Sequence, residues 1–177
     1  ASLIEDEAIN LMNTERQKQN LPSLTYSDKL YKASLSHNNL MAECAKKYGS
    51  SACFTHTVTQ LNEKTLLNRI KDTGYNAQAV AENIAWGYST SGGIVGAWMS
   101  SAGHKSNIMG NYKDVGCSYK APYWTCDFGR ISPTAGSSAT PSPTPTRALT
   151  ATPTKTPASS PLATNVSTVT ITQPPTP

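Results

Sequence analysis

Apolar residues in the first half of the chain recur at helical intervals. Ile4, Ala8, Leu11 and Met12 lie three and four positions apart among polar neighbours. They predict a helix that runs to about Lys18 and stops before Leu21-Pro22. Ser2 and Glu5 have capping-box spacing, in which a hydroxyl and a carboxylate each satisfy a free backbone N–H at the helix start. Ser27 can cap a second helix, with Leu30, Ala33, His37, Met41 and Cys44 along one stripe and an end near Gly49. Leu66, Leu67 and Ile70 predict a short third helix closed by Gly74. Ile94, Trp98 and Met99 predict a fourth after Gly92-Gly93.

Later the pattern shortens to strand length. Val80 to Ala85 is a compact apolar run and predicts a strand. Val115 to Tyr119 and Tyr123 to Phe128 read as two arms of a hairpin turning at Ala121-Pro122. In its symmetric register the numbers of opposed residues share one sum, and Cys117 with Cys126 and Tyr119 with Trp124 both give 243. Opposed residues of an antiparallel pair lie within disulfide reach, so Cys117–Cys126 is the first expected bridge. Cys44–Cys53 is the bridge that remains, although four cysteines permit three pairings. Each bridge closes a loop of about ten residues, worth roughly 2.5–3 kcal/mol in lost chain entropy. Helices first and strands gathered late predict an α+β layered fold.

Composition divides the chain. Residues 132–177 contain 20 Ser or Thr and 10 Pro but no aromatic residue, Cys or acid. Such a segment has too little apolar surface to offset its ordering entropy, so a disordered tail is expected. Residues 1–131 are left as one domain with a sizeable core. They carry 13 basic and 11 acidic residues, with Lys46-Lys47 as their one adjacent basic pair. That balance excludes nucleic acid as an expected partner. No apolar run approaches membrane-spanning length. Four cysteines without C-x-x-C spacing favour two disulfides over zinc or redox sites and imply an oxidising compartment. The chain opens without a basic or apolar leader, and the expectation is a secreted monomer whose signal peptide has been removed. Asn165-Val166-Ser167 is an N-glycosylation sequon within a tail that has the composition of an O-glycosylated stalk. Such a stalk would allow retention at a cell wall or matrix.

The candidate chemistry rests on a few side chains. His56, in Phe54-Thr55-His56-Thr57, reads as loop, as does His104, because Gly103 breaks the fourth helical pattern. Glu82 falls inside the apolar run Val80-Ala81-Glu82-Asn83-Ile84, where a carboxylate is costly unless paired. Two histidines and an acid match the His₂Glu ligand set of catalytic zinc sites. Glu82 could equally sit on a strand's wet face or accept backbone hydrogen bonds. His37, on the second helix's apolar stripe, is expected as a hydrogen-bonded core histidine. Trp86 and Tyr88 could line a cleft or simply pack. Asp114 and Asp127 are further acids without a spacing argument. No nucleophile elbow or phosphate-cradling loop is present.

Asn13-Thr14-Glu15-Arg16 through Leu21-Pro22-Ser23-Leu24, and Ser36-His37-Asn38-Asn39-Leu40-Met41-Ala42, resemble the opening of the CAP superfamily. That superfamily comprises cysteine-rich secretory proteins, antigen 5 and pathogenesis-related protein 1. Phe54 to Thr57, Ala81 to Ala85 and Trp98 to Met109 resemble its central motifs, and Val115-Gly116 and Tyr123 to Gly129 its closing hairpin. The resemblance covers roughly residues 3–130 and implies an α-β-α sandwich with a large open cleft. It places His56, Glu82 and His104 in the family's cleft tetrad, which in some members holds a divalent metal such as zinc. The fourth tetrad position, an acid three residues after the tryptophan, is Ser101 here. Five residues separate Trp98 from His104, as in the short bacterial-like branch, so the inserted segment of larger members is missing.

Three functions follow as expectations. The first is a secreted binding module for small apolar ligands, fatty acids or sterols, with no required cofactor, serving export or defence. The second is recognition of an extracellular protein or cell-surface partner, with Tyr88 and the Lys46-Lys47 corner among the contacts. The third is a metal-dependent hydrolase, which would need a general base besides its ligands; Glu82 cannot serve as both. Binding without catalysis is the expectation.

Overall fold

The structure, a computed structural model, describes residues 3–131. Ser2, the tail 132–177 and the Asn165 sequon lie outside the described residues. Six helices are described: α1 (Leu3–Lys18), α2 (Asp28–Tyr48), α3 (Ser50–Cys53), α4 (Leu66–Asp72), α5 (Ser91–Ser100) and α6 (Ala102–Ile108). The strands are β1 (Thr25–Tyr26), β2 (Ala77–Trp86), β3 (Asp114–Lys120) and β4 (Tyr123–Ile131), and a 3₁₀ turn spans Thr59–Leu61. One sheet runs in the order β1-β3-β4-β2, with β1 parallel to β3 and the other pairs antiparallel.

The layers follow from strand alternation. Ala81, Ala85, Val115, Cys117, Trp124, Cys126 and Phe128 form one core with Ala8 and Met12 of α1, Ile94 and Trp98 of α5 and Ile108 of α6. The opposite face meets α2 and α4, where Leu30, Ala33, Ile70 and Tyr75 cluster with Val80 packed against them. This is an α-β-α sandwich. Asn38 of α2 fastens that helix to the sheet, donating to the Ser118 carbonyl at 2.8 Å and accepting from Thr125 Oγ1 at 2.7 Å.

The hairpin has the expected register, with Cys117 opposite Cys126 and Tyr119 opposite Trp124. Both expected disulfides, Cys44–Cys53 and Cys117–Cys126, are formed. Replacing Cys117 and Cys126 with alanine is expected to cost about 2–4 kcal/mol, because both side chains are fully buried and the bridge closes a loop in the unfolded chain. Thermal unfolding under non-reducing conditions measures it, and an unchanged midpoint would mean that the bridge contributes nothing.

Three local features stand beside the expected pattern. Glu5, whose expected capping partner Ser2 lies outside the described residues, is buried, and its Oε1 accepts the Tyr119 N–H of β3 at 2.6 Å. Thr25-Tyr26 is too short to show as a strand in the sequence, yet backbone bonds to Lys113 and Val115 carbonyls hold it at the sheet edge. The break after α5 falls at Ser101, whose backbone is extended, and not at Gly103. His104 is therefore a helical residue of α6. Among the described residues no helix is long and apolar enough to cross a membrane.

Candidate functional site

Glu82 shares the β2 face of Val80, which looks toward α2 and α4. It is completely buried, so the wet-face reading fails. One oxygen, Oε1, lies 2.7 Å from His56 Nδ1, and the other accepts a hydrogen bond from Arg69 Nη2 on α4. Arg69 also donates from Nη1 to Glu63 Oε1 at 3.1 Å. Glu63 Oε1 in turn lies 2.7 Å from Nδ1 of the fully buried His37, and its Oε2 accepts the Val58 N–H. The register of β2 with β4 sets Asp127, also fully buried, directly opposite Glu82. The result is an ionic chain from His37 through Glu63, Arg69 and Glu82 to His56, with Asp127 at its side.

The electrostatics of this chain are unequal. Burial pushes the Glu82 carboxyl up, but the Arg69 charge, followed by His37 and His56, outweighs it and holds the group well below the usual carboxylate range. Asp127 goes the other way: burial first, then the charge of Glu82, raise it well above its ordinary value against the pull of Arg69. Both influences favour the protonated form of Asp127, whose two buried oxygens have no hydrogen-bond partner in the protein; Arg69 Nη2 stands 4.0 Å from Oδ1. Arg69 itself is lowered by burial but raised, on balance, by Glu82, Asp127 and Glu63.

Asp127→Asn is expected to change stability by less than about 1 kcal/mol at about pH 3–4, where an amide replaces a carboxyl that is protonated in the folded chain and largely so in the unfolded one. A raised carboxyl stays protonated in the folded chain but ionises in the unfolded one. Its stability contribution is therefore complete below the ordinary value near 4 and is lost as pH rises through the folded value. The asparagine variant should gain on the parent as pH rises from about 4 to 8. Melting temperatures across that range test it; parallel curves would show Asp127 to be ionised in the fold.

His104 belongs to a second couple. Its Nδ1 lies 2.9 Å from Ser101 Oγ, and its ring is 6.4 Å from that of Trp98. Helix α6 is fastened to the β2 edge by side chains. Asn107 Nδ2 donates to the Glu82 carbonyl and to Asn83 Oδ1, and Asn83 Nδ2 donates to the His104 carbonyl. Trp86 is half-buried, with its ring 6.4 Å from Phe54, and Tyr88 packs partly buried against the α1–α5 core.

With this geometry in view, the comparisons with known proteins are specific. Residues 9–128 match the cysteine-rich secretory protein family, CAP. The chain belongs to that family. It is 32% identical over 130 residues to the uncharacterized protein YkwD of Bacillus subtilis (strain 168), a match spanning 72% of this chain and 47% of the relative. The chain therefore spans less than half the length of that curated relative. In fold it is similar to an extracellular protein containing a SCP domain from Bacillus anthracis, with TM-score 0.63 and 24% identity over 71% of this chain and 40% of the other. It is also similar to an outer surface protein from Borrelia burgdorferi, with TM-score 0.55 and 24% identity over 70% of this chain and 90% of the other.

In this CAP domain the tetrad positions form two couples, His56 with Glu82 and His104 with Ser101. Among the described residues no group of three or more His, Cys, Asp or Glu side chains is arranged to hold a metal ion. Both Glu82 oxygens are engaged, one of them by a guanidinium, so the carboxylate already has a cation beside it. With both oxygens engaged, Glu82 is not free to act as a metal ligand beside the two histidines. The sequence points to His56, Glu82 and His104 and offers Asp127 only as an acid without a spacing argument, while Glu63 and Arg69 carry no signal of their own. The cost of a carboxylate in an apolar run was the available signal, since it demands a buried cation. Asp127 becomes visible only once the β2–β4 register is known.

Proposed function

We propose that this CAP-domain protein acts outside the cell, where it takes up small apolar ligands, fatty acids or sterols, for export or defence. The observation that carries the reading is a half-buried apolar rim. Phe54, Trp86, Leu40 and Leu61 pack around a buried base of Met41, Val58, Tyr123 and the Cys44–Cys53 bridge, with His56 two residues from Phe54. Partly exposed aromatic and aliphatic side chains beside a few fixed polar groups suit a small apolar ligand. Two disulfides support an oxidising, extracellular setting, as do relatives described as extracellular or outer-surface proteins. The role is binding, not catalysis, and Ser/Thr/Pro-rich residues 132–177 suit retention at a wall or matrix.

Native mass spectrometry of the full chain, secreted from a eukaryotic host, tests the reading. The expected result is a co-purifying mass that disappears on organic extraction and returns when palmitate or ergosterol is offered. A protein that stays empty with both would overturn uptake and favour recognition of a protein or surface partner, for which Tyr48, stacked under Lys47 at 5.0 Å, offers an exposed contact.

A further inference from the structure

A pocket of about 310 Å³ opens between α2, the 3₁₀ turn and α4. Lys32, Ser36 and Leu40 of α2 form one side, Leu61 and Lys64 another, and Arg69 of α4 a third. Leu40 and Leu61 belong also to the apolar rim with Phe54 and Trp86, so the polar pocket and the apolar surface are continuous.

Three cations, Lys32, Lys64 and Arg69, line the pocket against two carboxylates, Glu63 and Asp72. Glu63 lines the pocket, but Oε1 already takes Arg69 and His37 and Oε2 takes the Val58 N–H. Asp72 holds Lys64 at 2.5 Å. The Arg69 side chain is only 5% exposed, and its two terminal nitrogens serve Glu63 and Glu82. Its Nε–H is buried with no acceptor in the protein. Lys32 and Lys64 use one contact each, to Asp28 and Asp72, and keep further protons to donate. Among the residues lining the pocket, the buried side-chain atom left without a partner is therefore a donor, and such a donor calls for an acceptor.

We infer that the pocket receives the carboxylate of an apolar acid, bonded by Arg69 Nε, Lys32 and Lys64, while the apolar body continues over Leu40 and Leu61. The inference rests on the uptake of apolar ligands proposed above and chooses among them: an acid is favoured over a neutral alcohol or sterol. A hydroxyl brings one weak acceptor where a carboxylate brings two charged oxygens. The expected preference for acid over alcohol of equal chain length is about tenfold.

Calorimetric titration of the full chain with palmitate and with hexadecanol measures that preference. Alongside it, NMR follows the Arg69 Nε–H resonance as butyrate, a carboxylate with little apolar body, is added. Expected are tighter binding of palmitate, a saturable shift of the Arg69 signal, and a decrease of both in Lys32→Gln/Lys64→Gln. That double variant touches only exposed side chains and should keep the parent's melting temperature. Equal binding of palmitate and hexadecanol with a silent Arg69 signal would overturn the carboxylate pocket and leave lipid uptake standing. An Arg69 shift with butyrate but no binding of either long chain would keep the pocket and sink lipid uptake. A palmitate preference that the lysine variant does not diminish would also overturn the assignment.

Discussion

Arg69→Met is expected to cost the domain about 3–5 kcal/mol and to lower its melting temperature by roughly 10–20 °C at neutral pH. The arginine bridges Glu63 and Glu82, and both acids lie inside the fold. Methionine fills most of the space but leaves two buried carboxylates facing each other's field without that cation. Removing one partner from a buried pair costs far more than the pair contributes over an apolar replacement, because the remaining charge stays desolvated. Arg69→Lys should fall in between, since an ammonium supplies the charge without the planar fork that reaches two acids. Arg69→Met/Glu82→Gln should lose less than the sum of its single variants, because the stranded charge has gone.

The pH dependence separates this account from simple loss of packing. With Arg69 present, the Glu82 carboxyl is held down, so its stabilisation exists above the ordinary carboxylate value and is lost as pH falls through the folded one. Without Arg69, burial is the leading influence and pushes Glu82 up, reversing the sign. Its contribution then exists below the ordinary value and is lost as pH rises. The gap in melting temperature between parent and Arg69→Met should therefore narrow as pH falls from 7 to about 4. A gap that stays constant across that range would show that the arginine acts by filling space.

Much of this was legible in the chain because it depends on local periodicity. The stripe of α2, the hairpin register and the pairing of Cys117 with Cys126 each follow from spacing, and the structure has all three. His37 was readable as a bonded core histidine because it interrupts an apolar stripe. Its partner was not, because Glu63 lies 26 residues away, past α3 and the 3₁₀ turn. Arg69 escaped for a similar reason: on α4 it looks like any basic residue near a helix end. Only the packing of α4 beside β2 turns it inward to Glu82. Glycine is a poor helix former and so predicts a loop at His104, yet α6 begins at Ala102 and carries Gly103 through its first turn. What the sequence left hidden is the set of contacts made between layers.

Gly116→Ala is expected to be at least as damaging as the loss of Arg69. A Cβ on Gly116 would lie 2.0 Å from the backbone nitrogen of Tyr31 and 2.4 Å from the carbonyl carbon of Leu30. Both atoms belong to the first turn of α2, so no side-chain rotation relieves the overlap. The helix must lift from β3, and the nearby Asn38 bonds to Ser118 and Thr125 would lengthen with it. Overpacking usually costs about 1–3 kcal/mol, and more where the obstacle is backbone. The expected result is a loss above about 3 kcal/mol, with the variant poorly folded at about 37 °C. Two other glycines calibrate the claim. At Gly129 the nearest atoms are the ring and hydroxyl of Tyr75, which can swing aside at the cost of the hydrogen bond to Asp114, so Gly129→Ala should be milder. At Gly96, inside α5, nothing lies within 4 Å of the added carbon, and alanine should stabilise by roughly 0.5–1 kcal/mol through helix propensity. The order of melting temperatures should be Gly96→Ala above the parent, then Gly129→Ala, then Gly116→Ala. A Gly116→Ala protein that melts with the parent would mean that α2 does not sit against β3 as closely as these distances require.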